Sequence, residues 1–227
     1  MHSTLREQIA VTAARLVVEE GLEYGPAKQR ALKLLGKRGL PSGDLPGNDL
    51  LEAEVRAYLA IFCADTQPGE LAQLRRVALT WMDRLAAFRP HLTGAVWRGT
   101  ATCSSGVHLQ LYCDDPKSAE IALLEQRIAY EVGSIRGPRA APIDVLSFAH
   151  REPGPPRAAA PAAASVGLGG AASAGFGGAA SALGQRIFVY LSILDHDDLR
   201  GALKPDAHGR ALRGDAKALR QLMENTP

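Results

Sequence analysis

The stretch from Leu92 to Leu124, LTGAVWRGTATCSSGVHLQLYCDDPKSAEIALL, constrains the fold of this chain more than any other. Val107, Leu109 and Leu111 are apolar, and His108, Gln110 and Tyr112 alternate with them. A period of two marks a strand with one face buried. Upstream, Leu92-Thr93-Gly94-Ala95-Val96-Trp97 is a short apolar run stopped by Arg98-Gly99, and its length predicts a buried strand. The small polar residues from Gly99 to Gly106 predict the connecting loop. Asp114-Asp115-Pro116 ends the second strand and opens a helix with Pro at its first position.

Helical spacing dominates what comes before. Leu5, Ile9, Ala13, Leu16 and Val17 share one face of a helix that Gly21 ends. A second helix is predicted from Pro26 to Gly36, with Arg30, Lys33 and Lys37 on its polar side as a solvated basic face. Residues 38–49 read as a loop. A third helix carries Leu51, Val55, Tyr58, Leu59 and Phe62 inward, and a fourth runs from Pro68 to Phe88 around Leu71, Leu74, Ala78, Trp81 and Leu85. After the central stretch, Ile128 to Val132 and Pro142 to His150 read as strands, with Ser134 to Arg139 as a loop between them. Residues 152–184 are Ala, Gly, Pro and Ser with almost no large apolar side chain, a composition that cannot offset its own ordering entropy. They predict a flexible insertion between two strands, the second being Gln185 to Leu194. Asp195-His196-Asp197-Asp198 predicts an acidic helix cap, and a final helix is expected from Arg213 to Met223. The fold class that follows is α+β. A helical region at 1–90 lies over a small mixed sheet flanked by helices at 91–227, interrupted by the insertion at 152–184.

The motif layout resembles the nucleotidyltransferase superfamily, the fold of DNA polymerase β and the minimal bacterial nucleotidyltransferases. It is most similar to a bacterial subgroup in which a helical region precedes "LTGS…GT…DIDLQLF". Leu92-Thr93-Gly94, Gly99-Thr100 and Leu109-Gln110-Leu111-Tyr112 carry the likeness. In that family Gly-Ser holds a nucleoside triphosphate, and Asp-x-Asp with a third carboxylate on a later strand holds divalent metal. The resemblance puts Ala95 at the Ser position, Gly106 and His108 at the Asp-x-Asp positions, and Tyr190 at the third. Glycine offers no side-chain ligand, and imidazole is a poor ligand for a hard cation. A degenerate nucleotide site is therefore expected from Gly94, Ala95, Arg98, Ser104, Ser105, Gly106, His108 and Tyr190, with no catalytic or metal-binding residue and no cofactor.

Three functional readings stand on these residues. The first is a non-catalytic nucleotidyltransferase-like module that binds a nucleotide or a protein partner. The second is an active enzyme transferring a nucleoside monophosphate from an NTP to a hydroxyl, with Mg²⁺ held by acids such as Asp114, Asp115 or Asp144. The third is an interaction or nucleic-acid-binding protein built on the helices. Cys103, His108 and Cys113 suggest zinc chemically, but match no zinc spacing. A formal charge of +2 is neutral as regards nucleic acid. Three cysteines without a disulfide framework predict a cytoplasmic protein. No stretch approaches the roughly 20 apolar residues that span a bilayer, so no membrane partner is expected.

Overall fold

The computed structural model describes residues 4–37, 45–137, 141–151, 186–206 and 208–225. The insertion expected at 152–184 lies outside the described residues. The chain is α+β, and among the described residues a six-stranded mixed sheet forms its centre, in the spatial order β3 (Glu131–Arg136), β4 (Pro142–Arg151), β5 (Arg186–Asp195), β2 (Val107–Cys113), β1 (His91–Thr93) and β6 (Arg213–Gly214). No helix among the described residues is long and apolar enough to cross a membrane.

Three helices come first: α1 (Leu5–Glu20), α2 (Tyr24–Leu34) and α3 (Asn48–Phe62). Thr4 and Glu7 close a reciprocal capping box at the start of α1, satisfying two free N–H groups. Gly21 ends α1 at φ +68°, a left-handed conformation that costs glycine nothing. Ile9, Ala13, Val17, Ala27, Leu51 and Val55 close a core of their own among these helices.

The fourth helix, α4 (Gln67–Arg84), has other company. Trp81, Leu74 and Met82 pack into the main core with Leu109, Leu111, Leu146, Phe148, Val189 and Leu191 of the sheet. Trp81 meets Phe148 edge-on at 4.4 Å and its indole N–H donates to His150 Nδ1 at 3.3 Å, so its polar end is satisfied. The helix stops earlier than the spacing predicts. A 3₁₀ turn over Ala86–Phe88 and Arg89 at φ +48° redirect the chain into β1.

β1 spans only His91–Thr93, so the strand expected over Leu92–Trp97 is corrected. Gly94 turns at φ +75° and Gly94–Arg98 form the single turn α5. A short apolar run is ambiguous between strand and helix, and here the helical turn brings the Trp97 ring close against Gly214, into the space a β-carbon there would take. β2 (Val107–Cys113) and α6 (Pro116–Glu125) follow as expected, with Asp115 accepting from Lys117 N–H at 2.9 Å as the N-cap. β3 is Glu131–Arg136, shifted from the expected Ile128–Val132 into the predicted loop. Its bounds come from antiparallel pairing with β4 (Pro142–Arg151), a tertiary choice that local composition does not carry. β5 (Arg186–Asp195) lies antiparallel to β4 and parallel to β2.

At the C-terminus, Asp195 accepts from Asp197 N–H at 2.8 Å in a turn, and α7 (Asp198–Ala202) has the acidic start expected, Asp197 at its N-cap and Asp198 in its first turn, without a side-chain cap hydrogen bond. Arg213–Gly214 form an additional short strand, β6, beside β1, and the last helix, α8, is Ala216–Glu224.

Candidate functional site

Register decides which side chains meet. β2 and β5 run parallel with His108 opposite Tyr190, so both side chains leave the same face of the sheet. Their rings stack with centroids 4.8 Å apart and planes at 11°. Leu109, Leu111, Val189 and Leu191 point the other way, into the core under α4. The alternation in the sequence thus separates an apolar core face from a polar face carrying His108, Gln110, Tyr190 and Ser192.

Gly106 lies beneath this stack. A β-carbon there would sit 2.5 Å from Tyr190 Cε2 and 3.0 Å from Cδ2. The ring of Tyr190 occupies the space that a side chain at residue 106 would need. Gly94 faces the same group, its absent β-carbon 3.7 Å from His108 and 3.8 Å from Glu23 Oε1.

A cavity of about 340 Å³ opens above, between the sheet and the turn joining α1 to α2. Gly106, His108, Tyr190, Ser104 and Ser105 line it. The loop is fastened to the helices: Thr102 Oγ1 donates to Val18 O at 3.1 Å and Ser104 Oγ to Glu19 O at 3.4 Å. Ser105 Oγ accepts from Thr102 N–H at 3.1 Å. Gly21 touches the same loop so closely that a β-carbon would fall 2.1 Å from Ser104 O.

Two expected residues lie elsewhere. Ala95 packs on the main core from α5. Arg98 turns away from the cavity lining, its guanidinium 4.5 Å over the Tyr24 ring and 3.9 Å from Glu52. Backbone leaving the strand at Gly94 carries both residues off the sheet's polar face. Arg98 instead lines a second cavity, of about 260 Å³, where the buried Glu52 also approaches Arg56 (2.8 Å) and Arg210 (3.8 Å).

Other residues enter that the sequence does not single out. Glu20 and Glu23 reach the cavity from the end of α1 and the start of α2, and Arg186 and Phe188 from β5. Arg186 and Phe188 were legible in principle, since they alternate with Tyr190 along one strand face. Glu20 and Glu23 had no such signal, because a turn delivers them. Glu20 pairs with Arg30 at 2.6 Å, and Glu23 Oε1 lies 3.3 Å from His108 Nε2. Burial pushes the imidazole of His108 below its ordinary proton affinity, Glu23 opposes that and Arg98 adds to it.

Of the remaining candidates Cys103 lines the cavity with His108, and the others disperse. Asp144 has the parity of Leu146 and Phe148 and so projects from the opposite face. Asp115 caps α6, and Asp114 beside it is exposed. Cys113 packs against the main core, across the sheet from His108. Among the described residues no group of three or more His, Cys, Asp or Glu is arranged to hold a metal ion. Set against models of known protein families, curated proteins and solved structures, the chain matches none.

Proposed function

We propose that this chain is a nucleotidyltransferase-like protein without the catalytic carboxylates, and that it binds a nucleotide in the cavity over His108 and Tyr190 as an accessory or regulatory module. The observation that carries the reading is convergence. Gly106, His108 and Tyr190 are the positions that the resemblance assigns to metal-binding acids; His108 and Tyr190 are partners on neighbouring parallel strands, Gly106 immediately precedes the first of these, and all three line one cavity. None of the three offers a carboxylate. The donor set does not fit Mg²⁺, which takes oxygen ligands in octahedral geometry: Glu20 and Glu23 bring the only carboxylates to the lining among the described residues, Glu20 is paired with Arg30, and no group of three or more His, Cys, Asp or Glu is arranged there to hold a metal ion. Asp144 on the opposite face and Asp115 at its cap supply no replacement, so the geometry favours binding over transfer.

Thermal unfolding with each nucleoside triphosphate, with and without Mg²⁺ or Mn²⁺, tests this. A ligand present at about 100 times its dissociation constant stabilises the fold by roughly 2.7 kcal/mol, which shifts the midpoint by several degrees. A metal-independent shift is expected. Transfer of a labelled nucleoside monophosphate to any acceptor in the presence of metal would overturn the loss of catalysis. A flat response to every nucleotide would remove the nucleotide itself.

A further inference from the structure

We infer that the cavity selects its ligand by the base rather than the phosphates, taking a purine nucleoside whose edge carries adjacent N–H donors, guanosine foremost. The inference rests on the nucleotide reading above and specifies which part of the nucleotide is read.

Charge argues first. Phosphate sites gather cations or backbone N–H groups around the anion. Here Glu20 and Glu23 line the cavity, and Arg186 is the one Arg or Lys lining it among the described residues. Arg30 offsets Glu20 from outside the lining, at 2.6 Å. Burial favours the neutral imidazole at His108, which removes a further positive charge. A triphosphate placed against this wall meets two carboxylates and one guanidinium.

Shape and hydrogen bonding argue for the base. His108 and Tyr190 stack face to face with their planes at 11°, and Phe188 lies beside them on the same face of β5, half exposed. A third planar ring extends such a stack, and base–aromatic stacking contributes about 1–3 kcal/mol. Ionised carboxylates only accept hydrogen bonds, so the ligand must bring the donors. Glu23 is about half exposed, and its single 3.3 Å contact with His108 leaves acceptor capacity on a group with two oxygens. Guanine offers a ring N–H and an exocyclic amino group side by side, which match the two oxygens of one carboxylate. Adenine offers the amino group alone, and uracil a single ring N–H between two carbonyls that face a carboxylate unfavourably. A volume of about 340 Å³ sits at the small end of ligand sites, sized for a nucleoside with its 5′ end at the mouth.

Calorimetric titration of the full chain with guanosine, adenosine, uridine and GTP, the last with and without Mg²⁺, tests the inference. Guanosine is expected to bind within about tenfold of GTP, a difference of no more than about 1.4 kcal/mol, with no need for metal, and uridine more weakly than either purine. Glu23→Gln should weaken guanosine by about tenfold or more and narrow its margin over adenosine, with the thermal midpoint of the free protein unchanged. Tyr190→Phe should bind like the parent, since the ring remains. GTP binding that requires Mg²⁺ while guanosine fails to bind would overturn the inference and leave the nucleotide reading intact. Failure of all four ligands would overturn the inference, and a flat thermal response to every nucleoside triphosphate as well would overturn the nucleotide reading.

Discussion

The imidazole of His108 lies flat against the phenol ring of Tyr190, with centroids 4.8 Å apart, because the two residues are register partners on parallel neighbours β2 and β5. The pair lines the cavity on the polar face of the sheet. Tyr190 also excludes any side chain from Gly106, so changes at the three positions are mechanically linked.

That linkage is measurable. Gly106→Ala places a methyl group 2.5 Å from Tyr190 Cε2, an overpacking that should cost about 1–3 kcal/mol. In a Tyr190→Ala background most of that cost should disappear, giving a coupling energy of about 1 kcal/mol or more by urea unfolding. Additive effects would mean that the ring is not what forbids a side chain at 106.

Two left-handed glycines offer a matched comparison. Gly21 and Gly36 both have φ +68°, but a β-carbon at Gly21 meets Ser104 O at 2.1 Å whereas one at Gly36 meets nothing within 4 Å. Gly36→Ala should cost about 1 kcal/mol, the backbone strain alone. Gly21→Ala should cost about 1–3 kcal/mol more, because the loop at 103–105 must also move. Equal losses in chemical denaturation would show that the contact between α1 and the cavity loop contributes nothing.

His108 predicts a pH dependence. Its folded-state proton affinity is lowered chiefly by burial, so the unfolded chain binds the proton more tightly. The stability that this group contributes is therefore present above its unfolded pKa of about 6.5 and is lost as pH falls through that value towards the folded one. Glu23 works against the shift, so Glu23→Gln should lower the midpoint of the His108 resonance in an NMR titration still further. A midpoint rising in that variant would contradict the geometry of the pair.

Glu52 is buried between three guanidiniums, at 2.8 Å from Arg56, 3.8 Å from Arg210 and 3.9 Å from Arg98. Glu52→Gln leaves those cations without their shared anion and should destabilise the fold by about 1.5–3 kcal/mol. The pair of Arg56 Nη2 with Arg98 O, at 2.8 Å, joins α3 to α5 in the same place. Enhanced amide exchange in α5, with the core of β2 still protected, is the expected accompaniment.

Much of this molecule is written in local pattern. The period-two alternation of Val107–Tyr112 assigns each residue of β2 to a face, and the same rule applied to Ile187–Leu194 puts Tyr190 on one side and Leu191 on the other. Thr4 with Glu7, and Gly21, mark the ends of α1 as plainly as any spacing. Other features had no local signature. The run Leu92–Trp97 divides at Gly94 because Trp97 has to reach Gly214 at the far end of the chain. β3 takes its bounds from β4, and α4 joins the core of the sheet although it follows three helices that pack among themselves. The site shows the same division: His108 and Tyr190 take their face from alternation, whereas Glu20 and Glu23 arrive from the turn between α1 and α2, Glu23 about 85 residues before its partner His108. Periodicity tells a side chain which face it shares, since that follows from backbone geometry one residue at a time. Which strand or turn stands opposite follows from burying the whole apolar surface at once, and that is a property of the packed chain.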